Sequence, residues 1–147
     1  MNLSKGIKIT RALNAVAAGT TSQNGSILDM SGFDGVMFVA ALGTLTATQV
    51  TSLKAQQGAL VGGGDMADLA GSAVGPLADA DSNKCLVLDV YRPQKRYVRP
   101  VVVRGTANAV IDGVIAIQYS ARVKPTIHDA ATIAASELHV SPEEGSA

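Results

Sequence analysis

From residue 85 to residue 122 the chain alternates apolar and polar side chains in short runs separated by turns, a period of two that no helix uses. Cys85–Tyr91 puts Leu86, Leu88 and Val90 on one face. The polar RPQKR at 92–96 reads as a turn, Tyr97–Arg104 as the next strand, and Gly105–Asn108 as another turn. Pro100 has no N–H to give a ladder, which predicts a sheet edge or a bulge for that strand. Val110–Arg122 is the longest run. Alternation predicts Ile111, Ile115, Ile117 and Tyr119 facing in and Asp112, Gln118, Ser120 and Arg122 facing out, with Gly113 on the inner face at a bend or a close approach.

Upstream the pattern is looser. Ser26–Met30 reads as a short strand. Gly32–Leu42 carries Phe33, Met37 and Val39 on one face and Val36, Phe38 and Leu42 on the other, which predicts a strand covered on both sides. Thr44–Gln57 fits a strand alternating Thr51, Leu53, Ala55 and Gln57 against Ser52, Lys54 and Gln56. A helix with Val50, Leu53 and Gln57 on one side is the alternative. Gly58–Asn83 is rich in Gly, Ala and Asp. It reads as a surface loop with room for a short strand or helical turn around Met66–Val74. Ile127–Leu138 is either a short helix or an extended arm.

Six or more strands at roughly 10–14-residue spacing predict an all-β, jelly-roll-like antiparallel β-sandwich. The 147 residues suit one domain, with a core over about 26–124, an N-terminal arm at 1–25 and a C-terminal arm at 125–147. Composition agrees with β structure, because the apolar 47% is dominated by Val, Ile, Leu and Ala, with only 3% aromatics. Cys85, the single cysteine, excludes an internal disulfide and reads as a small buried hydrophobe. No signal-peptide core or membrane-length apolar run is present, so neither secretion nor a membrane partner is expected.

Charge changes the picture locally. Twelve cationic and twelve acidic side chains cancel, which removes a global drive toward nucleic acid. Yet Arg92, Lys95, Arg96, Arg99 and Arg104 fall within one turn and the strand after it, and Lys5, Lys8 and Arg11 precede the first acid, Asp29. The tail after His128 is acidic. Tyr91 and Tyr97 flank the basic turn, which fits either stacking of single-stranded nucleic acid or a protein interface. The neutral, aromatic-poor chain favours the interface, with Arg forks meeting carboxylates of a partner.

No reaction chemistry emerges. His128 and His139 stand eleven apart in the tail and away from Cys85, with no convergent ligand set. GGGD at 62–65 lacks the Lys and Ser/Thr of a phosphate loop, and Asp65, Asp68, Asp79 and Asp81 miss the spacing of a calcium loop. Neither an enzyme nor a cofactor is expected.

The segments ALNAVAAGTT, GFDGVMFVAALG, LKAQQG and VLDVYRPQKRYVRPVVVRGT, followed by a long final strand, resemble small structural proteins of tailed bacteriophages. Capsid cement (decoration) proteins are the nearest likeness, over most of residues 12–124. The resemblance implies a jelly-roll-like sandwich on the capsid exterior of the virion, assembled in the host cytoplasm. There it would bind the major capsid protein and itself, as a homodimer or homotrimer, and bridge neighbouring capsomers. A tail, neck or carbohydrate-binding virion component is the alternative. It implies no residue-level site; Arg92, Lys95, Arg96, Arg99, Arg104, Lys5, Lys8 and Arg11 are candidate contact residues from charge alone.

Overall fold

The strands of the computed structural model, which describes residues 2–146, pair only antiparallel and form two five-stranded sheets. After a short α1 (Leu3–Gly6) come β1 (Lys8–Leu13), β2 (Val16–Gly19), β3 (Gln23–Asn24), β4 (Leu28–Asp29) and β5 (Gly35–Leu45). They are followed by β6 (Val50–Gly58), β7 (Ala67–Asp68), β8 (Cys85–Tyr91), β9 (Tyr97–Gly105) and β10 (Ala109–Tyr119). The pairing is nested: β1 with β10, β3 and β4 with β9, β5 with β8, and β6 with β7. A long hairpin rolled on itself gives this order, and β5–β10 and β6–β9 become the inner seams. The sheets therefore run β1-β10-β5-β8, with β2 also on β10, and β3/β4-β9-β6-β7. This is a jelly-roll sandwich.

The two inner faces bury Val36, Phe38 and Leu42 of β5 and Leu86 and Leu88 of β8 against Leu53 of β6 and Val98 and Val102 of β9. These β-branched and leucyl side chains fill a pleated surface without polar atoms, and each full burial is worth about 1.5–3 kcal/mol.

Several sequence expectations change once the sheets close. The N-terminal arm expected over 1–25 is not found among the described residues, because β1, β2 and β3 hydrogen-bond into the sheets. Their weak pattern reflects short strands at sheet margins. Pro100 is not at an edge, since β9 lies between β6 and β3/β4. N–H and C=O of one strand residue point the same way, and the Pro100 carbonyl accepts from Gly25 N–H at 2.8 Å. The missing donor thus faces the interruption between β3 and β4, where no ladder bond is lost. Cys85 is exposed rather than buried, because its parity on β8 is opposite to that of Leu86.

The largest correction lies in β10. Register shifts between Ile111 and Gly113, and Gly113 takes φ +151°. This bulge inverts the side-chain parity downstream. Ile111 and Val114 both point to the core, followed by Ala116 and Gln118, while Ile115, Ile117 and Tyr119 turn outward. Gln118, expected outside, is 1% exposed. Its side-chain amide donates to the Asp29 carbonyl at 2.8 Å, which satisfies the group in its buried position.

The C-terminal segment forms no helix among the described residues. Its first part lies along the free edge of β1: Thr126 N–H donates to Lys5 O at 3.0 Å, Ile9 N–H to His128 Nδ1 at 3.2 Å, and Asp129 N–H to Ile9 O at 3.2 Å. The edge donors and acceptors that would invite another strand are thereby occupied.

Gly113→Ala tests the bulge. A Cβ there meets the Leu13 carbonyl oxygen at 3.1 Å in a backbone region that L-residues avoid. The expected loss is about 1–3 kcal/mol in urea unfolding. Gly62→Ala, with nothing within 4 Å of its added Cβ, should leave stability within about 0.5 kcal/mol of the parent.

Candidate functional site: a basic groove at one end of the sandwich

Rolling the hairpin brings three remote turns together at one end. The Met30–Asp34 connection into β5, the Arg92–Arg96 turn between β8 and β9, and Arg122 beyond β10 line a surface groove of about 470 Å³. Backbone bonds tie them: Met30 N–H to Arg96 O at 2.8 Å, Arg92 N–H to Asp34 O at 2.7 Å, and Arg122 N–H to Gly32 O at 2.9 Å. From the second sheet, Gln57 Oε1 accepts from the N–H groups of Gln94 and Lys95 at 3.0 and 3.3 Å. The cationic turn is therefore fixed by hydrogen bonds at both ends.

The four cations of the groove differ in their freedom. Arg96 forks onto Asp29, Nε to Oδ1 at 2.9 Å and Nη2 to Oδ2 at 2.8 Å, while its guanidinium lies 5.3 Å from the Tyr97 ring centre. This bidentate bond holds the Asp29 carboxyl below its ordinary value, with a smaller pull from Lys8. Arg122 reaches Asp34 at 3.4 Å, and Lys95 reaches Asp65 at only 3.8 Å. Arg92 has no carboxylate partner among the described residues and packs 5.1 Å from the Tyr91 ring centre. Its φ of +51° turns it out of line with the end of β8. Four cations against Asp29, Asp34 and Asp65 leave the groove with a surplus of one positive charge.

The remaining sequence candidates fall elsewhere. Arg104 is withdrawn as a contact residue, because it is 5% exposed. It follows Val98, Pro100 and Val102 on the inward parity of β9, and its guanidinium donates to the carbonyls of Thr21, Ala17 and Ala109 at 2.8, 2.9 and 2.6 Å. Burial lowers its pKa, but three acceptors satisfy it. It latches the β2–β3 connection onto the end of β10. Arg99 is half-buried and donates from Nε to Gln56 Oε1 at 2.8 Å on the outer face of the second sheet. Lys5 lies beside Lys124 and Pro125, Lys8 near Asp29, and Arg11 on the outer face of the first sheet over Gly113. Sequence reasoning left Arg122 and Gln57 out of the patch. Each is remote from residues 92–96 in the chain, and only the topology unites them.

Among the described residues no group of three His, Cys, Asp or Glu side chains is placed to hold a metal ion. No helix of the described chain is long and apolar enough to cross a membrane. The groove offers fixed cations and backbone edges, suited to binding carboxylates. No protein-family model matches the chain, and no curated protein matches it. Fold and groove together define a jelly-roll sandwich with a basic groove at one end.

Two pH limits follow. Depression of the Asp29 pKa contributes stability present above pH 3.8 and lost as the pH falls through the folded value, so Asp29→Asn should flatten the acid limb of the unfolding profile. Desolvation, with the bond to Asp89, pushes Tyr119 up to about 12 from an ordinary 10.0. That contribution is complete below pH 10 and lost on rising toward 12, so Tyr119→Phe should flatten the alkaline limb in urea titrations at stepped pH. Arg104→Met should cost about 2–4 kcal/mol, because it strands three carbonyls, whereas Arg92→Met should cost under about 0.5 kcal/mol.

Proposed function

We propose that this chain is a structural protein that attaches to the outside of a repeating protein shell, in the phage reading a capsid, and stabilises it by bridging neighbouring subunits. The observation that carries this reading is the composition of one end of the sandwich. The basic groove adjoins an apolar strip, with Ser31, Gly32 and Phe33 lining both. Val123 and Ile127 in that strip are 80% and 82% exposed. Arginines beside exposed aliphatic groups form the pattern of a protein interface, where Arg forks meet partner carboxylates as apolar surface is buried. The resemblance to cement proteins supplies the partner class, a major capsid protein, and the surplus of cations in the groove calls for carboxylates on its outer surface.

The C-terminal tail supports bridging. Beyond residue 133 it adds no strand or helix among the described residues, and it carries Leu138 and Val140, the latter 90% exposed. A tail that leaves such side chains uncovered in its own subunit suits burial against a neighbour, and many weak attachments on one shell add by avidity.

Arg92→Glu combined with Arg122→Gln, which removes the second cation without setting a carboxylate against Asp34, is the cleanest test. Arg96 is less suitable, since its reversal would set two carboxylates against each other at Asp29. Added to undecorated shells of the parent phage, the double variant should need at least about tenfold more protein for half occupancy, with unchanged circular dichroism. Removal of residues 136–147 should lower the heat resistance of decorated shells without unfolding the domain. Full decoration and protection by both variants would overturn the proposal. Attachment to tails and not heads would favour the other virion component.

A further inference from the structure

The outer faces of the two sheets differ in chemistry. On the second sheet β6 presents Ser52, Lys54 and Gln56, and β9 presents Arg99 with Val101 and Val103, of which Val101 opposite Lys54 is only 3% exposed. Such a mainly polar outer face is the ordinary state of an antiparallel sandwich. On the first sheet the parity inversion at Gly113 turns Ile115 and Ile117 outward. They join Ile9 of β1, Met37 and Val39 of β5 and Val87 of β8. Register aligns these residues in two rows across the sheet. One row reads Ile9, Ile117, Met37, Asp89, and the next reads Arg11, Ile115, Val39, Val87. All are partly or fully exposed, Val87 at 50%. Apolar residues on both faces of residues 32–42 predict two covered faces, and the chain itself supplies one.

We infer that this face binds the same face of a second copy of the chain, across a two-fold axis parallel to the strands. The charges at its margins select that occupant. Arg11 ends one row at the β1 edge and forms no ion pair among the described residues. Asp89 ends the adjacent row at the β8 edge, where it accepts from Tyr119 OH at 2.6 Å and meets no cation among the described residues. Two-fold rotation about the strand direction lays β1 over β8 of the partner and β10 over β5. Arg11 then stands one row, about 7 Å along the strand, from Asp89 of the other copy, within reach of its side chain across sheets about 10 Å apart. The pair occurs twice by symmetry. Ile117 falls on Met37, and Ile115 on Val39. An axis perpendicular to the strands would instead oppose Arg11 to Arg11.

The face covers about 19 Å across four strands and about 24 Å along seven residues, or about 450 Å² per copy. About 900 Å² in total belongs to the small, weak class of interface, so dissociation constants in the tens of micromolar are expected. This inference does not depend on shell binding, because the basic groove lies at the end of the sandwich and not on its face.

The test is sedimentation equilibrium of the full chain from about 1 to about 300 µM, with circular dichroism of every variant as the folding control. The parent should pass from monomer to dimer. Val39→Lys should weaken dimerisation at least about tenfold, since it places an ammonium at the centre of the apolar face. Arg11→Asp and Asp89→Arg should each weaken it, and the double variant should restore it, a reciprocity that non-specific apolar association would not show. A parent monomeric at every concentration would give the face to a different partner and overturn the inference. So would a trimer, a dimer insensitive to Val39→Lys, which would point to the open edge of β8, or charge swaps that do not compensate.

Discussion

The bulge at Gly113 is the constraint on which the outer and inner surfaces of this molecule both depend. β10 is hydrogen-bonded on both sides, to β5 and to β1 and β2, so it cannot shift without moving the whole first sheet. One extra residue in it exchanges the two faces of everything downstream. Inward, the exchange brings Val114 and Ala116 into the core and puts the Gln118 amide on the Asp29 carbonyl and near Met30 Sδ at 3.5 Å. Asp29 is in turn the anchor of Arg96, so the basic groove is held from beneath by a residue that only the bulge makes internal. Outward, the exchange creates the isoleucine rows of the first sheet. It also lays Tyr119 across Gly35, where a Cβ would lie 2.2 Å from the ring.

This explains which parts of the fold were legible in the sequence. The alternations of β6 and β8 are uninterrupted, and the inward sets Thr51, Leu53 and Ala55, then Leu86, Leu88 and Val90, are those that strict period two predicts. Turns marked by RPQKR and GTAN were equally plain, because their residue types punish regular structure. β10 defeated the same reasoning. Apolar residues occupy both parities from Val110 to Ile117, so hydrophobicity alone does not locate the inversion. Gly113 was visible as a special position, but its consequence depends on the Leu13 carbonyl packed beside it, which comes from residues a hundred places earlier.

The N-terminal strands and the groove were obscured for a related reason. β1 to β4 are short and lie where pairing partners are supplied from the far end of the chain, so local propensity carries little of their stability. The basic turn itself was evident from composition. Which of the cations remain available was not: Arg104 differs from Arg99 of the same strand in facing the sandwich interior, where three carbonyls wait for it. A charge run on a strand distributes itself over two faces, and parity separates the structural arginine from those at the surface. The molecule then has a charged end and an apolar face, joined through one strand.

The allocation of faces by β10 is most directly tested by side-chain nuclear Overhauser contacts in solution. The bulged strand predicts contacts from the Gln118 side-chain amide to Met30, and from the methyls of Ile115 to Val39, with Val114 among the core groups around Phe38. A regular β10, with Ile115 and Ile117 in contact with Phe38 and Leu88 and with Gln118 in solvent, would contradict the account. It would remove both the anchor of the groove and the apolar face at once.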